Sequence, residues 1–302
     1  MCCRRISVSG LMAGVRCAAT GGRHFAWSWK DLEAGVRPDL SAEADGWVLS
    51  LVPTQLQRLM GSAAALEWLR GFRVIFVGGG PAWEELTEAA ARARLPVSLC
   101  YGMTETAAMV TAVHPEDFFA GDRSSGGVMP HAQVTIVDDA TGASMPKGET
   151  GLVRIEGANL FHGYFSASGT TENSGGVFVT EDLGIFDAQG HLRILGRRDA
   201  VIITGGKKVF PAEVEAALRA SGQFSDVAVL GLADAEWGQR VVAFYPAGGA
   251  AFEMGRVEKA LEGIAPYKRP KQFKAVAAWP RNEQGKVSRE ALRRVTAMTN
   301  DQ

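Results

Sequence analysis

The hydrophobic positions change period twice along the chain. Ser9 to Ala19 alternates small and apolar residues as a core helix would, and Thr54 to Leu69 places Leu56, Leu59, Met60, Leu66 and Leu69 at helical spacing. Val74-Ile75-Phe76-Val77 is then a short continuous apolar run, followed by the turn Gly78-Gly79-Gly80-Pro81. Trp83 to Arg94 is an amphipathic helix, and Pro96 to Cys100 starts a second strand that ends at Tyr101-Gly102. Strand, helix and strand at this spacing predict parallel pairing through a right-handed crossover. Ligands of such sheets bind beyond the carboxyl ends of the strands, so Gly78–Gly80 and Tyr101-Gly102 are expected side by side at one rim.

After Phe118 the period shortens to that of strands. Val134 to Val137, Leu152 to Ile155, Val177 to Val179 and Leu192 to Leu195 are separated by turn-forming runs, among them Asp138-Asp139-Ala140-Thr141-Gly142 and Thr180-Glu181-Asp182. The pattern predicts a small antiparallel sheet or barrel. Gly196-Arg197-Arg198-Asp199-Ala200 then forms a charged joint before the strand Val201 to Ile203. Beyond it Pro211 suits the first position of a helix to about Ala220. Strands at 227–232 and 241–245, a helix at 253–264 and a strand at 273–277 follow, and Ser288 caps a last helix.

Charge sharpens the joint. From Arg197 onward there are 17 Lys and Arg against 12 Asp and Glu, a formal +5, while the preceding residues carry −6. A break of this kind suggests two bodies, 1–196 and 197–302, that move against each other, the basic one able to face an anion. The whole chain of 302 residues, 46% hydrophobic and of net charge −1, gives no electrostatic footprint for nucleic acid. Cys2, Cys3, Cys17 and Cys100 show no C-x-x-C spacing and read as a reduced, cytoplasmic set. Arg4-Arg5 and the apolar residues to Val15 mimic a secretory leader, but Gly10, Gly14 and Arg16 interrupt the run, and nothing approaches the ~20 apolar residues of a membrane span.

Four groups of residues could carry chemistry. Tyr101-Gly102-Met103-Thr104-Glu105 offers a ring, a close-approach glycine, a hydroxyl and a carboxylate able to hold magnesium, and it equally fits a strand-to-helix turn capped by Thr104. Asp182 can accept two hydrogen bonds from a ribose or close a turn. Arg197 can reach the same sugar or form a surface ion pair, and Lys286 on Asn282-Glu283-Gln284-Gly285-Lys286 is either a presented cation or a solvated one.

The order of these groups resembles the adenylate-forming superfamily of acyl-CoA synthetases, luciferases and nonribosomal adenylation domains. G-G-G-P, Y-G-M-T-E, T-E-D-L-G, G-R-R-D, G-G-K-K-V-F-P-A-E-V-E and N-E-Q-G-K succeed one another over nearly the whole chain. Residues 102–111, 125–136, 202–215 and 237–239 are most similar to the o-succinylbenzoate–CoA ligases of menaquinone or phylloquinone synthesis. The resemblance implies an α/β fold: a truncated large domain with a parallel α/β sheet and a barrel-like β part, then a smaller mobile α+β lid. It implies an AMP-forming ligase that uses ATP, Mg²⁺ and coenzyme A to convert a small carboxylate, o-succinylbenzoate by preference, first to acyl-AMP and then to its CoA thioester.

The implied roles fall on named residues. Gly79 and Gly80 would wall the adenine and acyl pocket, and Tyr101 would pack on adenine beside Gly102. Thr104 would touch phosphate, Glu105 would hold Mg²⁺, and Asp182 and Arg197 would bind ribose. Lys286 would stabilise the adenylation transition state, Asp199 would be the hinge, and Gly205-Gly206 would enter for thioester formation. Two departures stand against this. No Ser/Thr/Gly-rich phosphate loop ending in lysine precedes Ile6, and Ser168-Gly169-Thr170-Thr171-Glu172 is no substitute; Ser7 stands where relatives carry an acyl-pocket histidine. The chain therefore reads as amino-terminally truncated, with poor solubility or association with a second copy or an upstream fragment expected. The alternatives are a non-catalytic or split remnant that still binds adenylate or CoA, another acyl-CoA synthetase, or an adenylation domain serving a carrier protein.

Overall fold

The computed structural model describes residues 8–40, 46–166, 169–172, 176–248, 251–281 and 287–299. Cys2, Cys3, Arg4 to Ile6 of the leader-like run, Ser7, Ser168 and the whole Asn282 to Lys286 loop lie outside them. The chain divides between Ile194 and Leu195 into two units.

In the first unit, helices α1 (Val8–Ala19) and α2 (Trp29–Glu33) precede strand β1 (Val48–Leu51). Helices α3 (Pro53–Met60) and α4 (Ala63–Arg70) lead to β2 (Val74–Val77), and α5 (Glu84–Arg92) leads to β3 (Val97–Met103). The three strands pair in parallel, Leu51 opposite Val77 and Val77 opposite Leu99. Buried Leu49, Ile75 and Val97 meet Leu56, Leu69 and Leu86 of the helices, the continuous apolar runs being explained by a sheet covered with helices. Strand β4 (Ala108–Ala112) then turns back antiparallel on β3, α6 (Pro115–Phe119) follows, and β5 (Gly127–Val128) closes the row.

Three expectations are corrected here. The helical spacing from Thr54 to Leu69 belongs to two helices, because Gly61 ends the first and the Ser62 hydroxyl accepts a hydrogen bond from the Ala65 amide to start the second. Helix α1 is not a core helix: its small face packs, with Gly10 buried, and Leu11 and Val15 are 60% and 48% exposed. Thr104 caps no helix, for the chain makes one 3-10 turn over Thr104–Thr106 and continues as β4.

A second sheet is built from β6 (Gln133–Val137), β7 (Gly151–Glu156) and β10 (Val177–Phe186) of the same unit together with β11 (Leu192–Arg197), whose last three residues already count with the second unit, in the order β11-β10-β7-β6. It is an open sheet and closes no barrel, with Val134, Ile136, Val153, Ile155 and Leu192 filling one face. Between β7 and β10 a hairpin of β8 (Gly163–Ser166) and β9 (Gly169–Glu172) stands apart. Thr180-Glu181-Asp182 is not a turn. It is a bulge within β10, where the pairing with β7 slips between Val179 and Leu183.

The second unit carries β12 (Ile202–Thr204), β13 (Lys207–Val209), α7 (Pro211–Ala220), β14 (Ala228–Asp234), β15 (Gly238–Pro246), α8 (Met254–Ala260), β16 (Gln272–Val276) and α9 (Arg289–Thr299). Its sheet runs β13-β12-β15-β14, and β16 joins β15 in parallel. Val227 and Val229 pack with Val214 and Leu218, while Ala228 and Leu230 pack with Leu292 on the other face. Period-2 alternation thus places a helix on each side of the sheet. No helix among the described residues is long and apolar enough to cross a membrane.

Candidate functional site

The geometry of the first unit concentrates at the carboxyl ends of β2 and β3. Gly78 follows β2 and faces Cys100 so closely that a Cβ there would stand 2.7 Å from the Cys100 Sγ. Gly79, at φ +75, uses backbone freedom that L side chains rarely adopt, and Gly79 and Gly80 are both exposed at the rim. Cys100 supplies no nucleophile, since burial pushes its thiol up to about 12. Among the described residues Cys17 and Cys100 are free thiols.

One position further along β3, the Tyr101 hydroxyl donates a 2.7 Å hydrogen bond to the Asp182 carboxylate. The β10 bulge makes this meeting happen. The buried Thr180 hydroxyl accepts from the Asp182 amide at 3.0 Å, which turns the aspartate out of the ladder and toward β3. Gly102 lets the two strands approach, because a Cβ there would lie 1.9 Å from the Ala108 carbonyl oxygen. The turn that follows is strained, with Ala107 at φ +50 and Ala108 at φ +101. Buried Thr106 braces it, accepting from the Met103 amide at 3.0 Å and donating to the Ala108 carbonyl at 2.6 Å.

Thr104 is exposed at the head of this turn. Glu105 lies beside it and accepts a 2.8 Å hydrogen bond from the Tyr164 hydroxyl on its Oε1. Burial raises the Tyr164 pKa first, and the Glu105 acceptor and its charge raise it further. No cluster of three or more His, Cys, Asp or Glu that could form a metal cage exists among the described residues. A single carboxylate beside an exposed hydroxyl still fits magnesium, which takes one or two carboxylates and completes its shell with waters and substrate phosphates.

The other expected residues belong to the second unit. Arg197 holds Asp199 with two hydrogen bonds, Nε to Oδ1 at 2.9 Å and Nη2 to Oδ2 at 2.8 Å. Those bonds keep the Asp199 carboxyl below its ordinary range, and with both side chains more than half exposed the pair contributes about 0–1 kcal/mol. Gly205 and Gly206, at φ +54 and +75, form the two-residue hairpin turn between β12 and β13. Lys286 lies outside the described residues, yet both stems of its loop are tied to acidic groups. Arg281 bonds Asp226, which also accepts from Trp279 Nε1 at 3.0 Å and from the Val227 amide at 2.9 Å, and Arg289 bonds the buried Glu215 at 2.5 Å.

Thus Gly79, Gly80, Tyr101, Gly102, Thr104, Glu105 and Asp182 share one rim, and Arg197, Asp199, Gly205 and Gly206 share the other unit. Tyr164 is a site residue that sequence reasoning missed. Its only signal was a tyrosine after Gly163 in a run with no clear period.

Comparison with known proteins places the chain in a family. Residues 17–165 match the family model described as AMP-binding enzyme, and residues 213–286 match that of the AMP-binding enzyme C-terminal domain. The 2-succinylbenzoate–CoA ligase of Geobacillus kaustophilus is 33% identical over 268 residues, covering 85% of this chain and 54% of the relative. The indoleacetate–CoA ligase of Aromatoleum aromaticum is 34% identical over 255 residues, covering 82% and 49%. The chain spans about half the length of the curated relatives it matches. Among solved structures, the o-succinylbenzoate CoA synthetase of Bacillus subtilis with its acyl-adenylate intermediate superposes with a TM-score of 0.82 at 29% identity, covering 97% of this chain and 60% of that one. The same synthetase with ATP and a magnesium ion gives 0.80 at 28% identity, covering 97% of this chain and 60% of that one.

Proposed function

The chain belongs to the AMP-binding enzyme family, and on that premise we propose that it is the site-bearing part of an AMP-forming acid–thiol ligase. The observation that carries the reading is the Tyr101–Asp182 hydrogen bond, which joins positions 81 apart at the rim beside the glycine turn. A ring next to a carboxylate is what a nucleoside needs: Tyr101, walled by Gly79 and Gly80, packs on adenine, and Asp182 accepts from the two ribose hydroxyls. Arg197 is assigned to the same ribose and must then exchange its bonds to Asp199 for the sugar.

Gly102 brings backbone close to the phosphates, Thr104 donates to them, and Glu105 holds the magnesium ion. That ion supplies charge neutralisation for the phosphate oxygens. In the first reaction the substrate carboxylate attacks the α-phosphorus and pyrophosphate leaves, with Lys286 neutralising the charge that builds on the transferring group. In the second the CoA thiol, giving up its proton, attacks the acyl carbon and AMP leaves. Asp199 is the hinge about which the second unit exchanges Lys286 for the Gly205-Gly206 turn. The names of the similar Geobacillus and Bacillus enzymes support o-succinylbenzoate as the acid, and the Aromatoleum relative supports indoleacetate as the competitor to try beside it.

Two assays on the full chain test this. Pyrophosphate release is measured with ATP, Mg²⁺ and each acid, and thioester formation is measured separately from preformed acyl-AMP and CoA. Both activities with o-succinylbenzoate are expected. Thioester formation alone would leave a ligase whose phosphate handling needs residues beyond this chain. Neither activity, with AMP still bound, would favour the non-catalytic adenylate-binding reading.

A further inference from the structure

The Thr104–Thr106 turn is gripped by a segment of the chain more than fifty positions later. The Asn159 side-chain amide donates to the Thr106 carbonyl at 2.8 Å, the Phe161 amide donates to the Glu105 carbonyl at 2.8 Å, and the Tyr164 hydroxyl donates to Glu105 Oε1 at 2.8 Å. The gripping segment is itself fixed to the second sheet. Leu160 is buried with Val134 and Ile155, and the Phe161 ring packs edge-on against Phe178 of β10 and against Tyr164. Gly157 makes room for it, since a Cβ there would lie 2.4 Å from the Asn159 side-chain oxygen.

We infer that Asn159, Phe161 and Tyr164 form a clamp that presets the Glu105 carboxylate, with Tyr164 as a positioning residue for cation binding. Strained backbone at Ala107 and Ala108 persists only where its surroundings over-determine it, and the bonds from Asn159 and Phe161 to the preceding carbonyls add to the bracing by the Thr106 hydroxyl. The carboxylate needs separate fixing because a glutamate has free rotation about its side chain while the turn fixes only its backbone. Tyr164 occupies Oε1, and among the described residues nothing bonds Oε2, which is left for a metal or its water. Hydrogen bonds to a ligating carboxylate orient it and tune its affinity, and their loss costs about 10–100-fold. Since Tyr164 is half exposed, at 52%, the effect belongs at the low end of that range. Tyr101 and Glu105 are therefore both held by the second sheet, the first directly by Asp182 of β10 and the second through a segment braced on Phe178 of β10.

The inference rests on Glu105 as the metal ligand, so the test separates the two. Calorimetry on the full chain measures ATP binding against Mn²⁺ concentration, and AMP binding without metal, for wild type, Tyr164→Phe and Glu105→Gln. Tyr164→Phe keeps the ring on Phe161 and removes only the hydroxyl. It is expected to need about tenfold more Mn²⁺ for half-maximal ATP binding, with AMP affinity and Tm unchanged. Glu105→Gln is expected to abolish the Mn²⁺ dependence. An unchanged Mn²⁺ requirement in Tyr164→Phe alongside a lost one in Glu105→Gln overturns the clamp and leaves the role of Glu105 standing. Equal losses of AMP affinity and Tm in Tyr164→Phe reduce its role to structure and also overturn the inference. If Glu105→Gln behaves as wild type, or if wild type shows no Mn²⁺-dependent ATP binding, the metal reading and the clamp fall together.

Discussion

Lys286→Ala is expected to lower pyrophosphate release by about 10²–10³-fold, the loss that follows when a preorganised charge is withdrawn from a transition state. Thioester formation from preformed acyl-AMP is expected to continue at the wild-type rate, because in that reaction AMP already carries its acyl group and no pyrophosphate leaves. The contrast matters more than the size. A lysine that merely stabilised its domain would depress both reactions together. The described residues on either side of it in sequence are fixed: Arg281 bonds Asp226, Arg289 bonds Glu215, and the Ser288 amide donates to the Pro280 carbonyl at 3.0 Å. Glu215 is 2% exposed and also accepts from the Val229 amide at 2.8 Å, so its charge is fully engaged inside the unit. Buried carboxylates held this way are costly to break, and this one ties Arg289 at the start of α9 to Val229 of β14. Single-turnover measurement of the two half-reactions checks the expectation. A loss shared equally between them would remove Lys286 from the chemistry.

Gly102→Ala is expected to have the largest effect on stability. A Cβ at this position would stand 1.9 Å from the Ala108 carbonyl oxygen and 2.6 Å from the Met109 Cα. These are backbone atoms, so no side chain can swing aside, and the β3–β4 pairing must spread to admit the methyl group. Overpacking of this severity costs about 3 kcal/mol or more. For a unit of this size that corresponds to a fall of roughly 6–12 °C in the melting transition of the first unit. Gly80→Ala is the control. Nothing lies within 4 Å of a Cβ at Gly80, and its Tm is expected to stay within about 1 °C, as for other surface substitutions. Calorimetric melting of the two variants decides the matter, and equal Tm values would mean that the strands at Gly102 are not in close contact.

Much of this arrangement was legible before the structure. Val74–Val77 and Val97–Leu99 could be read as parallel strands because their apolar runs are short, continuous and bounded by Gly, Pro and a helical period. Strand β1 went unread, since Ser50 interrupts its apolar run and no glycine turn follows it before Pro53. Spacing alone joined α3 to α4, because Leu56, Leu59, Leu66 and Leu69 keep helical phase across Gly61 and Ser62. Local composition marked Thr180-Glu181-Asp182 as a turn. Only the pairing of β10 with β7 reveals a bulge, and a pairing partner cannot be seen in a stretch by itself.

The same limit governs the site. Residue type and order singled out Tyr101, Glu105 and Asp182 as candidates, while the bond between Tyr101 and Asp182 spans 81 positions and that between Tyr164 and Glu105 spans 59. Tyr164 escaped notice because a tyrosine carries no periodic signature; its meaning is its partner. Arg197 was read as a sugar-binding cation or a surface ion pair and Asp199 as a hinge; the structure shows the ion pair, and its partner, two positions away, is that same aspartate.

The central claim, one nucleotide site on the β2–β3 rim with Asp182 gripping the ribose, is tested most directly by AMP binding to the wild-type chain and to Asp182→Ala. Removing the carboxylate forfeits two charge-assisted hydrogen bonds, so isothermal calorimetry is expected to show AMP affinity falling about 100-fold with the Tm of the first unit preserved within a few degrees. AMP binding equally tight in Asp182→Ala and wild type would contradict the account.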